Sequence, residues 1–263
     1  MLTDTHCHLD FNRFDKDRAQ VIARALEADV TRVLNPGIDL DSCQAAIQLA
    51  EENELVYAAV GVHPNSALTW NNSTLVELEA LARHTKVVAV GEIGLDYYRD
   101  RAPRDLQKQV FLSQLELAAS LQLPVVIHNR QSTSELLEIL VEWQAKLVAE
   151  GSPLAERPGV LHSYSDELAP AMEAIEHNFF IGFTGPVTFT NARELQLVVT
   201  TLPIESMLIE TDAPFLTPHP FRGKRNEPAR IRLVAEKIAE LKQQPYNSIA
   251  RVTTENAARL FNW

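Results

Sequence analysis

Alternation on the scale of the whole chain restricts the fold more than any other feature of the sequence. Short runs rich in valine and isoleucine lie at 2–8, 31–37, 56–64, 86–94, 124–130, 159–165, 179–185 and 207–214. Between them are longer stretches of helical period, such as "DKDRAQVIARALEA", "DLQKQVFLSQLELAASL" and "SELLEILVEWQAKL". These carry apolar residues three and four apart, with Asp or Ser near several starts, as capped amphipathic helices do. Strand followed by helix, in units near the roughly 30 residues of a βαβ step, builds parallel sheet. Eight such units in 263 residues predict an α/β fold, a closed (β/α)8 TIM barrel spanning 1–263 as a single domain, in preference to an open doubly wound sheet. The tail "NSIARVTTENAARLFNW" predicts an extra C-terminal helix packed on the outside, anchored by Leu260, Phe261 and Trp263.

Strands of such a barrel are apolar where they cross the core, and their C-terminal ends carry the chemistry. An ionisable residue at a strand end therefore needs a reason. Alternation puts His6 and His8 on one face with Asp4 one step deeper, Glu92 in a row with Val88 and Val90, His128 with Val126, His162 with Val160, and Asp212 with Leu208 and Glu210. A lone strand-end histidine is more often a hydrogen-bonded structural residue. Several titratable groups meeting at one mouth are different, because burying them together is costly without a cation. His6 and His8 are spaced to grip one metal ion, and Asp212 completes that site and holds or deprotonates the attacking water. Glu92 bridges to a second ion held by His128 and His162, giving two divalent ions per chain, Mg, Mn or Zn.

Other residues are open between roles. Glu210 either orients a ligand or touches substrate. His63 either polarises a leaving group or makes a structural hydrogen bond. His84 and His177 end predicted helices, where the helix dipole favours them, and His219 lies in a loop. Two runs, "YYRDRAPRDLQK" and "FRGKRNEPARIR", are locally basic and follow predicted strands. There Arg222, Lys224 and Arg225 are candidates to clamp phosphate, and Tyr97 and Tyr98 to stack on bases.

The net charge of −11 argues against a protein that coats long duplex nucleic acid, while leaving room for a local basic rim. Cys7 and Cys43 are too few for a disulfide framework and form no CxxC pair. Reduced thiols, the lack of a basic leader before an apolar run, and the lack of a membrane-length apolar stretch lead to the expectation of a cytoplasmic protein with no membrane and no obligate protein partner.

"DTHCHLD", "GVHP", "VGEIGLDYY", "LPVVIHNR" and "ETDAPFLTPHPFRGKRNEPA" resemble, in order and spacing, the TatD-type deoxyribonucleases of the metal-dependent amidohydrolase superfamily, from Asp4 to the final "TTENAARLF". The resemblance implies a (β/α)8 barrel, divalent metal ions, ligand roles for His6, His8, Glu92, His128, His162 and Asp212, and hydrolysis of phosphodiester bonds in nucleic acid, often from the 3′ end. The expected function is thus a 3′–5′ exodeoxyribonuclease on single-stranded or frayed DNA, with RNA as a further candidate, using a dimetal-activated water. The same barrel and metals also suit an amide or ester hydrolase acting on aminoacyl or lactone substrates, and, third, a non-catalytic barrel that binds nucleic acid or protein. The chain departs from the family's usual pattern at "HSYSDE", where Asp166 is expected in the first turn of a helix, and at Asn65 and Phe221, where histidines are usual.

Overall fold

In the computed structural model, which describes residues 1–99 and 101–263, a strand falls on each apolar run, with β2 starting one residue before its run and β4 extending two residues past its own. These are β1 Leu2–Asp4, β2 Val30–Pro36, β3 Val56–Val60, β4 Val87–Asp96, β5 Val125–Arg130, β6 Gly159–Leu161, β7 Phe180–Phe183 and β8 Met207–Ile209. The helical stretches form α1 Arg18–Glu27, α2 Leu40–Glu52, α3 Thr74–Ala82, α4 Arg104–Leu121, α5 Thr133–Ala149, α6 Leu168–Glu176, α7 Arg193–Thr201, α8 Ile231–Lys242 and α9 Tyr246–Phe261. Local chemistry sets some of these boundaries. At α2, Ser42 N donates to Asp39 Oδ1 at 2.9 Å while Asp39 N donates to Ser42 Oγ at 2.9 Å, a reciprocal cap on the first turn.

The eight strands pair in sequence order and all in parallel, giving a TIM barrel. The seam between β8 and β1 is closed by single contacts: Thr5 N to Ile209 O (3.2 Å), Asp212 N to His6 O (2.8 Å) and His8 N to Ala213 O (2.8 Å). Asp4 reinforces it, its buried carboxylate accepting from Thr211 N at 2.9 Å and Thr211 Oγ1 at 2.6 Å.

Two apolar layers follow. The larger lies between strands and helices. The smaller unites Leu34, Ala59, Val88, Val126, Val160, Phe180 and Leu208 with Ala257, Leu260 and Phe261 of α9, and Trp263 packs against it. By alternation these strand residues share the inward rows that end in His128, His162 and Glu210. The end of α9 therefore seals the N-terminal mouth of the barrel. This corrects the expectation of a helix packed only on the outside. Leu260 and Phe261 face the interior because the inward residues at that end are apolar and need a cover. Among the described residues, no helix is long and apolar enough to cross a membrane.

Candidate metal centre

Beyond Asp4 the first strand loses its regular ladder, yet alternation continues through an isolated bridge between Cys7 and Ala213. His6 and His8 consequently both enter the open mouth, their Nε2 atoms 3.2 Å apart and both rings buried. The ring of His6 stacks on that of His162 at 3.4 Å, so β1 and β6 meet across the barrel.

Glu92 occupies the middle, and its two oxygens look in different directions. Oε2 lies 3.3 Å from His6 Nε2 and 3.6 Å from His8 Nε2. Oε1 lies 2.8 Å from His128 Nδ1, 3.5 Å from His63 Nε2 and 3.8 Å from His162 Nε2. Asp212 Oδ1 approaches His8 Nε2 at 3.7 Å and His6 Nε2 at 3.9 Å. Three overlapping donor groups result: His6, His8 and Asp212; His6, Glu92 and His162; His63, Glu92 and His128. Asp212 adopts φ 51°, a left-handed conformation unusual for a residue other than glycine and common at functional sites.

A surrounding set of groups fixes the rings. Glu210 Oε2 sits 2.9 Å from His162 Nδ1 and accepts from Ser163 N at 2.9 Å, leaving His162 Nε2 toward the centre. Gly182 makes this possible, because a Cβ there would collide with the Glu210 carboxylate. On the other side Asp96 Oδ2 lies 3.3 Å from His128 Nε2 and accepts from Asn65 Nδ2 at 3.0 Å, while Oδ1 accepts from Tyr98 N and Arg99 N. His128 is thus bracketed by two carboxylates, with Nδ1 toward Glu92 and Nε2 toward Asp96. His63 Nδ1 accepts from Asn65 N at 3.0 Å, so a neutral His63 carries its proton on Nε2, facing Glu92.

Protonation follows these environments. Burial, then neighbouring His162, lowers His6; burial and His6 bring His8 down to about 3; burial brings His162 to about 4. These rings are neutral at pH 7, as metal ligation requires. His128 is the exception: burial pulls it down, but hydrogen bonds to Asp96 and Glu92 lift it to about 9. Burial, then Glu92 and Glu210, raises the Asp212 carboxyl well above the usual range, and burial lifts Glu210 to about 7. Glu92 falls well below its ordinary value, since His63, His6 and His128 outweigh its burial.

The six residues predicted as metal ligands lie together in this cluster, with His63 and Glu210 beside them. The predicted substrate contacts lie elsewhere on the rim. Arg222 is 4.0 Å from the Phe189 ring centre and Lys224 is 5.6 Å from that of Phe221; among the described residues neither forms an ion pair. Arg225 is committed to Asp17 at 2.6 and 2.7 Å and to Arg13 O at 2.7 Å. Tyr97 Oη donates to Glu135 Oε2 at 2.7 Å, whereas Tyr98 is exposed and Arg130 covers its ring at 3.9 Å. Asp166 precedes α6 instead of sitting in its first turn, and accepts from Asn129 Nδ2 (2.8 Å) and Thr133 Oγ1 (2.7 Å). Sequence reading passed over Asp96. The signal was available: it stands four residues past Glu92 in the same alternating row.

A family profile described as TatD related DNase matches residues 3–262. The chain belongs to this family of metal-dependent hydrolases. It is 45% identical over 261 residues to the uncharacterized metal-dependent hydrolase YabD of Bacillus subtilis, covering 99% of each chain. It is 34% identical over 264 residues to the 3′–5′ ssDNA/RNA exonuclease TatD of Cronobacter sakazakii, covering 98% of this chain and 97% of that one. The crystal structure of YjjV, a TatD homolog from Escherichia coli, superposes with a TM-score of 0.91 at 32% identity, covering 100% of this chain and 98% of the other. The fold and the family expected from the sequence are both upheld.

Proposed function

We propose that the protein is a phosphodiesterase that trims single-stranded or frayed DNA from the 3′ end, accepts RNA as a second substrate, and uses two divalent cations. The observation that carries this reading is the divided carboxylate of Glu92, with one oxygen beside His6 and His8 and the other beside His128 and His162. The donor set fits such ions: His6, His8 and His162 are neutral, and the Nδ1 atoms of His6 and His8 are buried without a hydrogen-bond partner, leaving their Nε2 atoms to face the centre. His6, His8 and Asp212 would hold one cation, His128 and His162 the other, with Glu92 shared; His128, protonated between its two carboxylates, would give up a proton to do so. Bound cations supply charge neutralisation at the phosphate and lower the pKa of water. The imidazole-rich set favours Zn or Mn over Mg by ligand softness.

The protein's own groups do the rest. Asp212, ionised when it holds a cation, accepts the proton that the attacking water loses. His63 does not need to ligate: with Nδ1 occupied by Asn65 N, its Nε2–H, which faces Glu92 at 3.5 Å, turns to the leaving oxygen. Glu210 and Asp96 orient His162 and His128. Arg222 and Lys224 hold flanking phosphates, whereas Arg225 binds the rim loops to one another. The name of the Cronobacter sakazakii relative supports the substrate class.

Incubating purified protein with end-labelled oligonucleotides, before and after chelation, tests the reading. Stepwise shortening from the 3′ end that stops in chelator and resumes with added Zn or Mn is expected. Undiminished degradation in chelator contradicts it.

A further inference from the structure

The tyrosines proposed to stack on bases lie on the loop after β4, yet the aromatic groups nearest the metal centre lie on the opposite seam of the barrel. Phe11 stacks on His8 with ring centres 4.5 Å apart and planes at 22°. Phe215 meets Phe11 edge to face at 6.0 Å and 79°. An aromatic series therefore leads from a metal-site imidazole to the rim, and its outermost ring, Phe215, is 43% exposed. Arg13 stands over that ring at 5.6 Å and has no ion-pair partner among the described residues.

Both loops are held where they are. Phe215 N donates to Asp212 O at 2.8 Å, and Asn226 N donates to Pro214 O at 3.1 Å. The following residue, Leu216, has φ 47°, and its carbonyl lies where a Cβ on Gly185 would be. On the facing loop, Arg18 donates to the carbonyls of Leu9, Asp10 and Phe11. Arg225 clasps the two loops, donating to Arg13 O and to Asp17. A large, part-exposed apolar ring on an anchored loop beside a charged site, with an unpaired cation over it, is a surface for a flat aromatic ligand carrying negative charge.

We infer that Phe215, supported by Phe11 and Arg13, is the seat of the nucleobase next to the scissile phosphate. This rests on the nuclease reading and adds to it the contact that distinguishes a nucleotide from a simple phosphodiester. A base has a π face whatever its identity, so the seat accepts all four and makes the enzyme indifferent to sequence. Arg13 contributes attraction to the adjoining phosphate.

The test uses full-length enzyme loaded with metal and a 5′-labelled oligothymidylate, alongside the same strand with tetrahydrofuran abasic residues at its last two 3′ positions. Phe215→Ala is expected to raise KM on the normal strand about tenfold with kcat nearly unchanged. Phe215→Trp restores KM, and Phe215→Leu, which keeps apolar bulk without a π face, behaves as Ala does. On the abasic strand, wild type and Phe215→Ala are expected to give the same KM. Equal KM values for wild type and Phe215→Ala on the normal strand, or an equal loss on the abasic strand, overturn the seat and leave the nuclease reading standing. Absence of cleavage of any nucleic acid by wild type overturns that reading, and the seat with it.

Discussion

Along β5 the inward row passes from Val126, clustered with Leu260 and Phe261, to His128, held between Glu92 and Asp96. Along β6 it passes from Val160 to His162, and along β8 from Leu208 to Glu210. One mouth of the barrel is apolar and sealed by α9; the other is ionisable and open. Burying Phe261 stabilises the fold through its transfer from water. Gathering Asp4, Glu92, Glu210 and Asp212 within one buried mouth does the opposite, and burial raises three of the four carboxyls as a result. Two residues of strand separate the part that holds the barrel together from the part that acts, and substitutions at the two ends should separate stability from activity.

The largest expected effect is at the open mouth. Asp212→Asn should lower the rate of oligonucleotide shortening by about 10²–10⁴-fold, while the unfolding temperature measured by calorimetry does not fall. At the sealed mouth, Phe261→Ala should cost about 3–5 kcal/mol of stability in denaturant unfolding and leave the rate per folded molecule unchanged. Equal losses of rate in the two variants would break the comparison. Asp96→Asn sharpens it, since the substitution leaves the other ligands in place and weakens the hold on His128: metal affinity by calorimetric titration should weaken about 10–100-fold. The smallest effect is at the rim. Replacing Arg222 and Lys224 together by Ala should flatten the salt dependence of DNA binding by about 0.7 per lost phosphate contact. Hydrolysis of a neutral ester by the same variant should be unaffected, which separates the nuclease from an aminoacyl or lactone hydrolase.

His128 and His162 were legible in the sequence because their strands keep strict alternation, with Val126 and Val160 marking the inward row. His6 and His8 were legible for a similar reason, as alternation outlasts the β1 ladder. Glu92 stands at the mouth for a different reason from the one its spacing suggests: pairing with β5 shifts register between Val90 and Ile93, just where it stands. The expected row of Val88, Val90 and Glu92 is not kept: a register shift at Val88 against β3 leaves Val88 in the inner cluster and Val90 in the outer one, and the second shift, past Val90, brings Glu92 back to the mouth. Residues whose partners come from distant loops were not legible. Arg225 resembles a phosphate clamp until Asp17, 208 positions away, is seen to hold it. Asn65 resembles a simple loss of a histidine until its amide is found on Asp96. The placement of α9 was misread because amphipathic spacing says that a face will be buried and not against what.

The most direct measurement is anomalous diffraction from crystals soaked with Mn or Zn. Two peaks are expected at the open mouth: one among His6, His8 and Asp212, the other beside His128 and His162, with Glu92 between them. A mouth that stays without metal, or a single ion that Glu92 does not touch, would contradict the account.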